Sequence, residues 1–356
     1  MQAGIVGLPN AGKTTLFNAL TASQAEVAPY PFTTIDPNIA EVDITDERLL
    51  ALTSLLNPLE VRPARLRFLD IAGLVKGAHK GEGLGNEFLT HIRTVDVIVH
   101  VLRCFPIINV SHVEGSINPV RDLEIVRLEL ALSDLTLLER AIHKHKKISK
   151  SLHKEELEEL NFLETIYLQI NEGRKVEETD LLRLRKYNLL SIKPSLLVIN
   201  VSEDEIGNPS EELQEVKNYL KNQGVDYLVS PALLEQELSA FSPEDRLEYL
   251  KGVGVSGTSL NQLIFKTNKL LQRIFFYTTA SRILQAWPIK KGTVIKEAAR
   301  MIHTDIGEGF IKAEVIPFND LLRLGSLNKA KESGLVKIEG KDTSVEDGDV
   351  IYFHFR

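Results

Sequence analysis

Residues 7–14, Gly-Leu-Pro-Asn-Ala-Gly-Lys-Thr, match the pattern G-x-x-x-x-G-K-[ST]. Few eight-residue stretches restrict a fold so tightly. The pattern works only where a short buried strand delivers a glycine-rich loop to the start of a helix, so that backbone N–H groups curl around phosphate oxygens. Both flanks are present: Ala3–Val6 is apolar and strand-like, and Thr15-Leu16-Phe17-Asn18-Ala19-Leu20 is helical in character. The helix N-terminus adds partial positive charge to the same point. In this arrangement Asn10, Ala11, Gly12, Lys13, Thr14 and Thr15 surround the phosphates of a nucleotide. Lys13 reaches the β- and γ-phosphates, and the Thr14 hydroxyl is a ligand for Mg²⁺.

An α/β sheet is the expected context. Candidate strands follow at Ile39–Ile44, Leu66–Ile71, Val95–Leu102, Ser195–Val201 and Asp226–Ser230. The second of these ends in Asp70-Ile71-Ala72-Gly73, a D-x-x-G at the distance expected behind a phosphate loop. Asp70 there would hold Mg²⁺ through water, and the Gly73 amide would meet the γ-phosphate. Between the two motifs, Tyr30-Pro31-Phe32-Thr33-Thr34-Ile35 offers two threonines, of which Thr34 is the expected third Mg²⁺ ligand when a γ-phosphate is bound. Leu74 stands where Ras-type enzymes carry the glutamine that orients the attacking water, a task no leucine can perform. The stretch Lys76–Gly85 that follows is rich in glycine, as a switch segment would be.

The strand Ser195–Val201 leads into Asn200-Val201-Ser202-Glu203, where a guanine-specific protein has N-K-x-D. In N-K-x-D the aspartate accepts two hydrogen bonds from guanine, and adenine has neither donor on that edge. Glu203 is one methylene longer than aspartate, and Val201 lacks the lysine stem that covers the base. Asn200 can still bond N7 or the 6-amino group of adenine. Losing such a guanine pair is worth roughly 2–4 kcal/mol, enough to relax or reverse base choice.

From Asp122 to Leu190 the texture changes. There is no proline between Pro119 and Pro194, and Leu123, Val126, Leu130, Leu137, Leu160, Leu163, Ile166 and Ile170 recur at spacings of three and four. Breaks near Ser149–Leu152 and Asn171–Gly173 suggest an antiparallel helical hairpin; the alternative is extra core helices packed on the sheet. After Tyr277 a strand, a turn at Lys291-Gly292, a helix and later strands at Phe310–Ile316 and Val350–Phe355 fit a small β-grasp-like module. The expected organisation is a nucleotide-binding domain in two segments, 1–121 and 193–276, a helical insertion at 122–192 and a C-terminal module at 277–356.

Composition excludes several classes. No apolar run approaches the ~18 residues of a membrane span. One cysteine, Cys104, excludes an intramolecular disulfide and a cysteine-based metal cluster, and its apolar surroundings point to a buried thiol. A phosphate loop starting at Gly7 leaves no room for a leader, so a cytoplasmic location is expected. A net charge of −7 does not favour DNA binding, and any RNA contact must be local. Two local patches exist: Arg140–Lys154, and Lys290, Lys291, Lys296 and Arg300.

Taken together, G-L-P-N-A-G-K-T, Y-P-F-T-T-I-D-P-N, D-I-A-G-L-V-K-G-A-H-K-G-E-G-L-G-N, the N-x-x-E signature and A-W-P-I-K-K-G-T resemble the Obg-like ATPase (YchF) family over nearly the whole chain. The resemblance implies a Ras-like P-loop NTPase domain with an inserted coiled-coil arm and a C-terminal TGS domain. It implies ATP preferred over GTP, a hydrophobic residue at Leu74, and association with the ribosome and its RNA. Asn10 matches the asparagine that coordinates K⁺ in related hydrophobic-substituted NTPases, and His112 matches the family's candidate for assisting hydrolysis, with a plain surface histidine as the alternative. Two readings compete with an ATPase switch: an Obg-type GTPase, and a nucleotide-sensing scaffold with vestigial hydrolysis. Two stretches depart from the family's pattern: Ser230, Pro231 and Ala232 stand where the resemblance implies a loop facing the base, with Pro231 removing one backbone donor, and the lead-in Ala280–Gln285 replaces a more glycine- and glutamate-bearing one.

Overall fold

The computed structural model describes residues 1–24, 26–28, 38–71, 77, 84–106, 115–148, 154–252 and 257–356. The chain divides into two compact units, residues 1–42 with 67–270, and residues 43–66 with 271–356.

The first unit is built on a seven-stranded sheet. Its strands are β1 (Gln2–Val6), β2 (Glu26–Ala28), β3 (Asn38–Asp43), β5 (Arg65–Asp70), β6 (Val97–Cys104), β7 (Ser195–Val201) and β8 (Tyr227–Ser230), in the spatial order β2-β3-β5-β1-β6-β7-β8; β4 (Glu60–Arg62) lies in the second unit. Pairing is parallel from β5 through β8, while β2 runs antiparallel to β3. A parallel sheet covered on both faces needs strands that are apolar throughout, and β6 is buried at all eight positions. Because β1 sits between β5 and β6, the crevice beyond its carboxyl end is where an open α/β sheet receives a ligand.

The 30-residue helix Pro119–Ile148 has two partners along its length. Its first half packs on the sheet: Val126 and Leu130 join Leu69 and Ile98, and Leu123 joins Leu102 and Leu197. Its second half packs against the helix Lys154–Asn171, where Leu138, Leu163, Ile166 and Ile170 share a cluster. Lys146 pairs with Glu164 at 2.6 Å and Tyr167 donates to Glu139 at 2.8 Å, so numbers fall on one helix as they rise on the other. The hairpin and core-helix alternatives therefore both hold, for different halves of one helix. Heptad-like spacing gave both halves the same signature because a helix face is apolar whichever surface it meets.

The second unit carries β4, β9 (Arg273–Thr278), β10 (Ile283–Lys290), β11 (Phe310–Pro317), β12 (Lys337–Glu339) and β13 (Asp349–Phe355), ordered β12-β11-β13-β9-β10-β4. The helix Ile295–Ile302 lays Ile295, Ala298 and Ala299 on Phe276, Ile289, Val315 and Phe353, which is the grasp that gives the module its character. Trp287 stacks on Phe276 at 6.3 Å between ring centres and donates its indole N–H to Thr278 at 3.0 Å. Residues 43–66 supply both a strand and a helix here. The helix Glu47–Leu56 is capped by Asp46, whose other oxygen accepts from Tyr277 at 2.5 Å, and β4 pairs in parallel with β10 through Glu60↔Ile283.

Candidate nucleotide site

The site lies at the carboxyl edge of the first sheet. Gly7 to Gly12 form the loop after β1, and the helix Lys13–Gln24 starts where the loop ends. Two glycines are required by contact. A Cβ on Gly7 would stand 2.5 Å from the Val101 carbonyl oxygen, and one on Gly12, at φ +89°, would stand 2.1 Å from the Asn200 amide nitrogen. Asn10 holds a left-handed backbone at φ 64° and is exposed, an orientation that asparagine tolerates better than most residues. Ala11 is buried, and Thr15 is half-buried in the first turn of the helix.

Lys13 is 7% exposed and donates to the Leu8 carbonyl at 2.9 Å, folding its stem back over the loop. Burial pushes its ammonium down to about 8, with the charge of Asp70 opposing the shift. Thr14 donates its hydroxyl to Asp70 at 2.9 Å. Burial raises the Asp70 carboxyl, while the Thr14 hydroxyl and Lys13 pull it down. A hydroxyl and a carboxylate thus converge beside a buried ammonium at a helix N-terminus. Those are hard oxygen donors of the kind that hold a divalent cation together with phosphate. Among the described residues no cluster of three or more His, Cys, Asp or Glu could hold a metal by itself.

Asn200, 3% exposed, ties the loop to the base side. Its amide donates to the Ala11 carbonyl at 3.0 Å and accepts from the Ala232 N–H at 3.1 Å. Both ends of the side chain are therefore used within the protein. Val201, grouped above with the base contacts, points the other way. Strand period two puts it on the face of Leu197 and Ile199, buried in the cluster with Leu213 and Val216, so it presents no surface to a base. Glu203 is exposed and accepts a hydrogen bond from the Tyr249 hydroxyl. Ser230 is fully buried and donates to the Ser259 hydroxyl at 2.7 Å, which in turn donates to Glu235 at 2.7 Å. Pro231 precedes the helix Ala232–Leu238, where a missing N–H costs nothing.

Thr34, Gly73, Leu74 and His112 lie outside the described residues. Gly77, within the glycine-rich stretch, is described: its N–H donates at 2.7 Å to Glu129, a buried carboxylate on the long helix. Sequence reasoning missed Glu129, Tyr249, Ser259 and Glu235. Each meets its partner across 24 to 52 residues of chain, where no local pattern reports a contact. Cys104 is buried and its thiol is pushed up to about 12, chiefly by burial, so it is inert at neutral pH.

A phosphate loop after the first strand of a parallel sheet, a following Asp at the end of the neighbouring strand, and an asparagine bridging loop and base side together define a Ras-like P-loop NTPase, a class that uses a divalent cation. Residues 2–138 match the family described as 50S ribosome-binding GTPase, and residues 273–356 match the YchF-GTPase C-terminal family, described as a protein of unknown function. The chain is 43% identical over 362 residues to the ribosome-binding ATPase YchF of Bacillus subtilis, covering 100% of this chain and 99% of that one. It is 40% identical over 359 residues to the ribosome-binding ATPase YchF of Escherichia coli O157:H7, covering 99% of each. The solved Schizosaccharomyces pombe YchF GTPase aligns with a TM-score of 0.86 at 32% identity, over 99% of this chain and 97% of that one. A GTP binding protein of Pyrococcus horikoshii shares the fold, at a TM-score of 0.60 and 18% identity over 100% of both chains. The chain belongs to the YchF family. No helix among the described residues is long and apolar enough to cross a membrane.

Proposed function

We propose that this protein is a ribosome-binding ATPase that uses ATP as a conformational switch in the cytoplasm. The observation that carries the reading is the convergence of Thr14 and Asp70 at 2.9 Å beside the buried Lys13 ammonium. Without a triphosphate, a buried ammonium in such a place is a cost. With one, it meets the β- and γ-phosphates while the amides of Asn10 to Thr15 hold the remaining oxygens.

Thr14, Asp70 and Thr34 are the proposed Mg²⁺ ligands, and Asn10 is the proposed K⁺ ligand. Bound there, the cations neutralise negative charge that develops on the γ-phosphate. The Gly73 amide contacts that phosphate. Hydrolysis is attack of water on the γ-phosphorus, giving ADP and phosphate; with Leu74 unable to orient that water, His112 is the proposed assistant. Base choice rests on Glu203, with Ser230, Pro231 and Ala232 shaping the loop that Asn200 holds in place. ATP is preferred and GTP binds more weakly.

The ribosomal surface proposed for this chain is RNA. Supporting it, Arg140, His143, Lys144, Lys146 and Lys147 are exposed along the end of the long helix, and Lys290, Lys291 and Arg300 are exposed in the second unit with Lys296 half-exposed. Such cations follow a phosphate backbone. The test is ATP turnover by the intact protein in Mg²⁺ and K⁺, with and without purified ribosomes. Turnover stimulated by ribosomes supports the switch. Negligible turnover in both conditions overturns it and leaves a nucleotide-sensing scaffold.

A further inference from the structure

Away from the phosphate loop, the first unit holds a cavity of about 710 Å³. Its floor is the sheet, through Ile98 and His100 of β6 and Leu197 of β7. One wall is the long helix, through Val126, Leu130 and Ala131, and the other is made by the segments around Ile170–Val176 and Leu190–Lys193. No residue of the loop Gly7–Thr15 lines it. The volume is that of a small-molecule site, and aliphatic side chains make up about half of its lining.

Among the polar lining residues, Lys193 is turned to the carbonyls of Ile92, Arg93 and Val95, which leaves the cations of the rim and a buried histidine to meet a ligand. At the rim stand Arg127, Arg174 and Lys175; Arg127 pairs with Glu124 at 3.0 Å and Arg174 with Glu172 at 2.5 Å. Arg174 and Lys175 are exposed, and Arg127 is half-buried. A basic rim is unexpected in a chain of net charge −7. Inside, His100 is 4% exposed, and its Nε2 has no hydrogen-bond partner among the described residues. A buried, unpaired ring nitrogen is unfavourable, and such groups in native proteins are ordinarily met by a ligand or by ordered water. Burial, with the charges of Arg127 and Lys13, pushes the His100 ring down to about 3, so it is neutral and needs a polar atom, not a counter-ion.

We propose that this cavity is a second ligand site, taking a small organic anion whose apolar body lies against Val126, Leu130 and Leu190, whose anionic group sits at Arg174 and Lys175, and whose arrival brings a hydrogen-bonding partner to His100 Nε2. An inorganic anion leaves the aliphatic walls unfilled, and an organic cation meets the wrong charge at the rim.

The test is calorimetric titration of the full-length protein with dodecanoate, below its micellar concentration, beside dodecyltrimethylammonium and inorganic phosphate. Saturable one-to-one binding of dodecanoate is expected, weakened about tenfold or more in the double variant Arg174→Glu, Lys175→Glu, whose positions are exposed and carry no core packing. In a histidine-selective ¹H–¹⁵N spectrum, the His100 ring signal, assigned by its loss in His100→Gln, is expected to move as dodecanoate is added. Absence of saturation, equal affinity for the cation or for phosphate, or full affinity in the double variant each overturns the site. A stationary His100 signal during saturable binding overturns it as well, since the anion then sits elsewhere.

Discussion

The side-chain amide of Asn200 donates to the carbonyl of Ala11 at 3.0 Å, joining the end of β7 to the phosphate loop 189 residues away in sequence. Its oxygen accepts from the Ala232 N–H, so one buried side chain fixes the phosphate loop against the base-side loop. Asn200→Ala strips both bonds and leaves a buried carbonyl and a buried N–H unpaired. At about 1–3 kcal/mol for each such group, an unfolding free energy lower by about 2–6 kcal/mol is expected in urea titration, with loss of ATP binding. Asn200→Asp keeps the acceptor but turns a carboxylate toward the Ala11 carbonyl, and it should lose ATP binding as completely. Unchanged binding in either variant contradicts the role.

Lys13 titrates in a window where its effect can be read. Its ammonium is held at about 8 against an ordinary value of 10.5, mainly by burial. The folded, nucleotide-free protein therefore binds this proton less tightly than the unfolded chain. Below pH 8 the charge destabilises the fold by a constant amount, and the penalty is relieved as pH rises from about 8 toward 10.5. Lys13→Met should stabilise the nucleotide-free protein at pH 7, and the advantage should shrink at pH 9. Because triphosphate favours the charged form, ATP affinity of the unmodified protein should fall across the same window. Thermal denaturation of both proteins at the two pH values checks the first effect, and calorimetry checks the second.

Glu129 anchors Gly77 at 2.7 Å, linking the glycine-rich stretch after the D-x-x-G motif to the long helix. In Glu129→Ala the Gly77 amide should exchange with solvent deuterium about tenfold faster or more, since local opening then breaks no bond there. Glu129→Gln retains an acceptor and should change the rate much less. Equal protection in the alanine variant would show that Gly77 is held by something else.

Much of this was legible from local pattern. The phosphate loop, Asp70 and six of the seven strands of the first sheet are read from a motif or from apolar runs, because both depend on neighbours within a few residues; the three-residue β2 is too short to show such a run. The helical character of 122–190 was equally plain, but which half meets the sheet was not: Leu123 and Leu137 have the same periodic signature and different partners. The face of Val201 was recoverable from strand period two, had Leu197 and Ile199 been taken as its reference. The excursion of residues 43–66 into the second unit had no local signal. Its strand pairs with β10 through Glu60↔Ile283, and its helix cap meets Tyr277, both contacts spanning more of the chain than any periodicity reaches.

That excursion yields its own expectation. Asp46 caps the helix Glu47–Leu56 by accepting from the Arg48 N–H at 3.0 Å and also accepts from Tyr277. Asp46→Ala loses a cap worth about 1 kcal/mol and a charge-assisted bond worth about 1.5–3 kcal/mol. Tyr277→Phe loses only the second. The single tryptophan, Trp287, lies in the same unit, so its fluorescence during urea unfolding reports the difference directly. Asp46→Ala should be the more destabilising of the two; the reverse order would deny the cap its share.

The central claim is that this site reads ATP in preference to GTP, and calorimetric titration of the nucleotide-free protein with non-hydrolysable analogues of both, in Mg²⁺ and K⁺, tests it most directly. Val201 is best left untouched, because a lysine there would bury its stem among Leu213 and Val216 and confound affinity with folding. Glu203, exposed and engaged with Tyr249, is the position to change. The account predicts tighter binding of the ATP analogue, with Glu203→Asp narrowing or reversing the gap. Tighter binding of the GTP analogue by the unmodified protein would contradict it and make this an Obg-type GTPase with an altered base motif.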